Sequence, residues 1–273
     1  MAHELYAARL VRKKCISESA ECYHFEFVVD ELESFPFVAG QFVSAVATDE
    51  NGKEQTRAYS IASAPGGNNF ELCVNRVEAG FFSNRLADLP DDADQLLPVG
   101  GTIHFHGPHG YFTLHQPITD SILVAIGTGV APMRSFLQWL YPEDGPDRSH
   151  GREIWLIYGT RHESELYYRE EFEALARRKP HFHYLPTLSR AAENWEDRRG
   201  YVQEHLARIV EERAERLGLP APGQEIDPAT PAAELKFEIY AYICGLNEMV
   251  AGVRERLAGL GWHRKQIVFE RYD

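Results

Sequence analysis

Cysteine is scarce in this sequence. The four thiols, Cys15, Cys22, Cys73 and Cys244, are scattered without a CxxC pair or zinc-like spacing. That excludes a disulfide-stapled scaffold and leaves a reduced thiol set, as expected in the cytoplasm. No apolar run reaches the roughly 20 residues a membrane helix needs, so no membrane insertion is expected. Met1-Ala2-His3-Glu4-Leu5 lacks an apolar stretch behind a basic one, so no secretory signal is expected either. Positive charge is also in short supply, with 28 Lys and Arg against 41 Asp and Glu, a formal net charge of -13. This balance argues against non-specific nucleic-acid binding and against docking on anionic lipid. Low-complexity tracts are missing, and 44% of the residues are hydrophobic. The expectation is a globular chain long enough for one large domain or two ordinary ones.

What is present changes character halfway along. Residues 5–14, 23–29, 41–47, 56–62, 70–77 and 101–106 are short runs of β-formers separated by turn signals such as Glu50-Asn51-Gly52 and Ala64-Pro65-Gly66-Gly67. Six evenly spaced strands predict an antiparallel barrel. Within the fourth run, Arg57 and Tyr59 point one way and Ala58 and Ser60 the other. One face therefore offers a phosphate-binding cation beside an aromatic ring suited to a planar heterocycle. In the fifth, Phe70, Leu72, Val74 and Arg76 share a face. Gly80-Phe81-Phe82-Ser83 opens a short helix running to Pro90, whose first N–H groups can hold an anion; a plug for one end of the barrel is the plainer alternative. His104, His106 and His109 have no carboxylate or thiolate partner nearby, so no metal is expected. Gly107-Pro108 and Gly110 predict a bend ending the barrel, followed by a linker over Leu114–Asp120.

From Ser121 the pattern becomes α/β. The apolar run Ser121–Ile126 reads as a strand buried on both faces. It leads into Gly127-Thr128-Gly129-Val130-Ala131-Pro132 and a helix over Met133–Leu140, an order that suits a pyrophosphate cradle. Strands are predicted at Glu153–Gly159, Phe182–Thr187, Phe237–Cys244 and Gln266–Glu270. Helices are predicted at Glu163–Arg178, Gly200–Leu217 and Asn247–Ala258. The result is a five-stranded parallel sheet with helices on both faces. Ligands of such sheets lie at the carboxyl ends of the strands, where Gly127, Gly159, Ser189, Cys244 and Glu270 fall. Ser189-Arg190, with Arg199 and Tyr201 opening the next helix, suits a ribose 2′-phosphate beside a flat base, which favours NADPH over NADH. A merely charged loop is the alternative. Cys244, ending an apolar strand, reads as a buried thiol.

Arg57-Ala58-Tyr59-Ser60, Leu72-Cys73-Val74-Asn75-Arg76, Gly80-Phe81-Phe82-Ser83, Gly107-Pro108-His109-Gly110, Gly127-Thr128-Gly129-Val130-Ala131-Pro132, Cys244-Gly245-Leu246 and Glu270-Arg271-Tyr272 occur in one order. Together they resemble the ferredoxin–NADP⁺ reductase family, the plastid-type branch more than the short bacterial one, over essentially the whole chain. The resemblance implies an FAD-binding β-barrel domain over 1–117 and an NADP-binding α/β domain over 118–273. It implies that Arg57, Ser83 and the N–H groups of Phe81 and Phe82 hold the FAD pyrophosphate, and that Tyr59 stacks on the flavin with Ser60 near its N5. Cys73, Val74, Arg76 and Gly80 complete the implied FAD set. Thr128, Gly129, Pro132, Cys244, Gly245 and Leu246 resemble nicotinamide and pyrophosphate contacts. Ser189, Arg190, Arg199 and Tyr201 match the 2′-phosphate and adenine site. Ser60, Cys244 and Glu270 match a trio that positions nicotinamide and manages protons, and Tyr272 matches an aromatic that shields the other flavin face and must move aside for nicotinamide.

The implied activity is electron transfer between NADP(H) and a one-electron carrier, ferredoxin or flavodoxin, through FAD. The alternatives are an NADPH-dependent reductase component of a separate oxygenase or other dedicated partner, and a non-catalytic or electron-bifurcating flavin subunit. The chain departs from the plastid type in three ways. The turn between Arg76 and Gly80 is too short to carry an aromatic over the FAD adenine, and Asp273 follows Tyr272. The third is its acidity: a docking face for an acidic partner would have to draw on Arg12, Lys13, Lys14, Arg85 and Lys265.

Overall fold

Alternating burial along β1 (Tyr6–Ser17) and β2 (Cys22–Val28) sets Ala8, Leu10, Phe25 and Phe27 into one core. The structure, a computed structural model, describes residues 4–89, 101–222, 224, 236 and 238–272. The expected strand start at Phe237, Asp273 and most of the loop over Gly218–Glu234 lie outside the described residues. The chain divides into two units, Met1–Leu114 with Ala131–Asp147, and His115–Val130 with Arg148–Asp273.

In the first unit, β3 (Phe42–Thr48), β4 (Glu54–Ser60), β5 (Asn69–Asn75) and β6 (Thr102–His109) join β1 and β2 in one six-stranded sheet. The order is β4-β3-β6-β1-β2-β5, and its pairs are antiparallel. An antiparallel bridge from Ile61 to Leu72 links the two outer strands, closing the barrel. Phe35, Phe70 and Phe105 meet at its centre with ring centroids 5.1–5.5 Å apart, within the range where edge-to-face contacts add to burial. The predicted bend at Gly107-Pro108 is instead part of β6. The strand runs on to His109, because Phe42 still pairs with His109 across a register irregularity between Phe42 and Ser44. A short helix, α1 (Phe81–Ala87), follows β5.

Lys13, expected on a docking face, is buried: its Nζ donates to the carbonyls of Ala87 at 2.6 Å and Leu89 at 2.8 Å. It satisfies orphan acceptors at the end of α1.

In the second unit, β7 (Asp120–Ile126), β8 (Ile154–Thr160), β9 (Phe182–Leu188), β11 (Ile239–Leu246) and β12 (Ile267–Tyr272) form parallel pairs. Together with β10 (Arg198–Arg199) the order is β10-β9-β8-β7-β11-β12, six strands rather than five. The sixth was missed because two charged residues carry no strand pattern; pairing of Arg199 with Leu188 makes the strand. The helices of this unit are α3 (Arg169–Arg178), α4 (Leu206–Arg216) and α5 (Asn247–Gly259), while α2 (Val130–Leu140) belongs, from Ala131 on, to the first unit.

The helix predicted from Glu163 begins only at Arg169, because Tyr168 turns into the left-handed region at φ 58. The one predicted from Gly200 starts at Leu206, behind a single 3₁₀ turn over Val202–Glu204. Beneath the sheet, at the start of β7, Asp120 receives Arg213 Nε at 2.8 Å and the Glu153 N–H at 3.0 Å. Glu153 in turn meets Arg216, His181 and His183. Burial alone would raise the Glu153 carboxyl, but these partners hold it below its ordinary range. The charges that anchor α4 thus sit at the end of the sheet opposite the strand ends described below.

Candidate functional site

The barrel carries β4 over Glu54–Ser60, two residues earlier than the expected run 56–62. Arg57 is exposed, Tyr59 is half-buried and packs on the barrel core, and Ser60 ends the strand. Burial pushes the Tyr59 phenol up to about 12, against the pull of the Arg57 cation, so the ring is a neutral platform. The segment leaving Ser60 is fixed. Ile61 N–H donates to Gln41 O at 2.9 Å, Arg134 donates to Ala62 O at 2.9 Å and to the Glu71 carboxylate, and Ser135 Oγ donates to Ser63 O at 2.6 Å. A strand whose exit is held this way can present a rigid face to a ligand.

On β5, Cys73 and Val74 are buried, and Arg76 bonds Asn84 Oδ1 at 2.8 Å and pairs with Asp88 at 3.2 Å. This ties the strand to α1. Gly80 caps α1, and a Cβ there would lie 2.3 Å from Ser83 Oγ and 3.0 Å from Val77 O. The Val77 N–H donates to Ser83 Oγ at 3.1 Å. The turn before Phe81 and Phe82 is therefore closed tightly, and a Cβ at its entrance would push the Ser83 hydroxyl aside. Arg85 covers the Phe81 ring at 4.0 Å.

In the second unit, the predicted glycine turn follows β7 at the carboxyl end of the sheet. After β7, Gly127-Thr128-Gly129 makes one 3₁₀ turn, and α2 begins at Val130. Pro132 falls in the first turn of α2, where no backbone donor is needed. Gly129 packs directly against the last residues of β11, which runs on to Leu246 rather than ending at Cys244: a Cβ would lie 2.2 Å from Cys244 O and 2.7 Å from its carbonyl carbon. Gly245 is equally confined, by Met249 at 2.4 Å and Ile126 at 2.7 Å. Tyr158 Oη donates to Gly127 O at 3.0 Å. On the other side, Tyr272 Oη donates to Ile126 O at 2.8 Å and accepts from Gly129 N–H at 3.1 Å.

Along this edge Ala125, Cys244 and Glu270 are register neighbours on β7, β11 and β12. Cys244 is buried, and burial, then the nearby Glu270, pushes its thiol far above its ordinary value. It is a neutral thiol, not a nucleophile. Glu270 is half-buried beside it, and Leu246 is exposed.

Two strand ends further along, Ser189 N–H donates to Thr160 O and Arg190 N–H to Arg161 O, each at 3.0 Å. Ser189, Arg190 and Tyr201 are exposed. Arg199 lies on β10 rather than opening a helix, and its guanidinium donates to the carbonyls of Ala191, Ala192, Glu193 and Trp195 at 2.8–3.4 Å. It holds the loop in shape. Sequence reasoning passed over Arg161, which is exposed directly beside Arg190. The signal was available: Thr160-Arg161 ends β8 just as Ser189-Arg190 ends β9. It also passed over Tyr158, which reads as an ordinary core aromatic.

Among the described residues one cluster, His24, Glu26 and Glu71, has metal-like spacing. Arg134 and Arg12 already neutralise its two carboxylates.

Two domain families match this chain: Oxidoreductase FAD-binding domain over residues 7–114 and Oxidoreductase NAD-binding domain over residues 123–255. The chain is 38% identical to ferredoxin–NADP reductase B of Sorangium cellulosum over 273 residues, covering 99% of this chain and 98% of that one. It is 29% identical to the leaf isozyme 1, chloroplastic, ferredoxin–NADP reductase of Oryza sativa subsp. indica, over 94% of this chain and 72% of that one. In fold it resembles a ferredoxin NADP⁺ reductase from Neisseria gonorrhoeae with bound FAD and NADP, at a TM-score of 0.73, 22% identity and 99% coverage of both chains.

Proposed function

The chain belongs to the ferredoxin–NADP⁺ reductase family, and from that premise we propose that it passes electrons from NADPH to ferredoxin or flavodoxin in the cytoplasm. FAD and NADP(H) are its cofactors. The observation that carries the reading is the contact between the Gly127–Gly129 turn and the end of β11 at Cys244 and Gly245, where a single Cβ added to Gly129 would collide with backbone. A turn held this closely at the carboxyl end of the sheet suits a pyrophosphate. The tight Gly80 entrance to α1 suits a second pyrophosphate, with Arg57 as its cation.

FAD, when bound, accepts two electrons together and releases them singly. The chain's own residues orient the reactants. Tyr59, held neutral, offers a stacking face, and Ser60 offers a hydroxyl at the end of β4. Thr128, Gly129, Pro132 and Leu246 shape the nicotinamide side. Cys244 remains a thiol and fills space beside Glu270, whose carboxylate holds or yields a proton. Ser189, Arg190 and Tyr201 grip the 2′-phosphate and adenine with Arg161 alongside, and Arg199 keeps their loop in register.

Steady-state turnover tests this. NADPH is expected to outrun NADH with ferricyanide as acceptor, and a purified ferredoxin or flavodoxin is expected to replace ferricyanide. Equal rates with both nucleotides would sink the 2′-phosphate assignment. Ferricyanide reduction without activity toward any ferredoxin or flavodoxin would favour a reductase component dedicated to an oxygenase.

A further inference from the structure

The Tyr272 hydroxyl sits on the backbone group that a nucleotide needs. It accepts the Gly129 N–H at 3.1 Å and donates to Ile126 O at 2.8 Å, and a Cβ on Gly127 would lie 3.6 Å from the same oxygen. The position is held by the sheet rather than by a loop: Tyr272 pairs with Leu246 as the register neighbour that follows Glu270 with Cys244. One hydroxyl therefore closes both ends of the 3₁₀ turn, while Tyr158 Oη holds the Gly127 carbonyl from β8.

An aromatic that only covered a flat ring would need no such bonds. From them we infer that the Tyr272 hydroxyl is an internal occupant of the pyrophosphate cradle, which an incoming dinucleotide displaces from Gly129 N–H. The inference rests on the nucleotide site proposed above and adds to it a second determinant of affinity, separate from any contact with nicotinamide. A pyrophosphate oxygen carries charge, and hydrogen bonds to charged acceptors are about twice as strong as neutral ones. The nucleotide wins the exchange, but it binds more weakly by the strength of the neutral bond it must break. For one neutral hydrogen bond that is about fivefold in Kd.

The test uses ligands that lack nicotinamide, so that stacking on a flavin plays no part. Kd values are measured by calorimetry on the FAD-loaded full chain and on its Tyr272→Phe variant, with 2′-phospho-ADP-ribose, which has the pyrophosphate, and 2′-phospho-AMP, which does not. Phenylalanine keeps the ring and removes the hydroxyl. The expected result is 2′-phospho-ADP-ribose bound about fivefold more tightly by the variant, with 2′-phospho-AMP unchanged. An unchanged Kd for 2′-phospho-ADP-ribose overturns the proposal, and so does an equal gain for both ligands, which would mean a general loosening of the site. A wild-type enzyme that binds neither ligand overturns the nucleotide assignment itself, and this proposal with it.

Discussion

Glu270→Gln is expected to lower turnover by about 10²–10⁴-fold, the usual contribution of a positioned proton-transfer group, while shifting NADP⁺ affinity by less than about threefold. The reasoning starts from the strand. Glu270 lies on β12 opposite Cys244 on β11, and the thiol beside it is neutral. On the function proposed above, the carboxylate is the proton-exchanging group of that pair. Glutamine keeps the size of the side chain but cannot take up or release a proton, and it trades one carboxylate acceptor for an amide donor, so binding largely survives and transfer slows. Single-turnover kinetics beside an equilibrium NADP⁺ titration separate the two quantities. Unchanged turnover would remove Glu270 from the proton path. An equal loss in binding and rate would make it a binding residue.

The second large effect is expected at Gly129. A Cβ there would lie 2.2 Å from Cys244 O, and both sides of that clash are backbone, so no rotamer change relieves it. Overpacking of this kind costs about 1–3 kcal/mol. Falling wholly on nucleotide binding, that is about 5- to 150-fold in Kd; otherwise it appears as a lower urea midpoint. Gly252→Ala is the control. Gly252 lies inside α5 with its nearest neighbours at 3.8–3.9 Å, and alanine in a helix interior is favoured over glycine by roughly 0.5–1 kcal/mol. Gly129→Ala weakening NADP⁺ binding or stability while Gly252→Ala does not is the predicted pattern. Equal behaviour of the two variants would mean that the contact between the turn and the end of β11 does not define the cradle.

Much of this architecture was readable before any coordinates. The barrel strands announce themselves through period-two burial and regular turns. The parallel strands do so through unbroken apolar runs such as Ile122–Ala125, and the cradle through Gly127-Thr128-Gly129 after such a run. What escaped depends on partners distant in sequence. Lys13 looks like a surface cation until its Nζ meets the carbonyls of Ala87 and Leu89. Arg199 looks like a phosphate ligand until four loop carbonyls converge on it. The Asp120–Arg213 pair joins residues 93 positions apart, which no local pattern encodes. The break at Tyr168 is a left-handed turn at a residue with no intrinsic preference for one. The cofactor sites themselves were legible mainly as ordered motifs, because a residue type at a strand end says little until its neighbours along the sheet edge are known.

The most direct test of the central claim, electrons entering in pairs from NADPH and leaving singly, is the stoichiometry of the reaction. Anaerobic turnover with limiting NADPH and excess oxidised ferredoxin is expected to reduce two ferredoxins for each NADPH consumed, at a rate that NADH does not match. One ferredoxin per NADPH, or NADPH consumed with no ferredoxin reduced, would contradict the account.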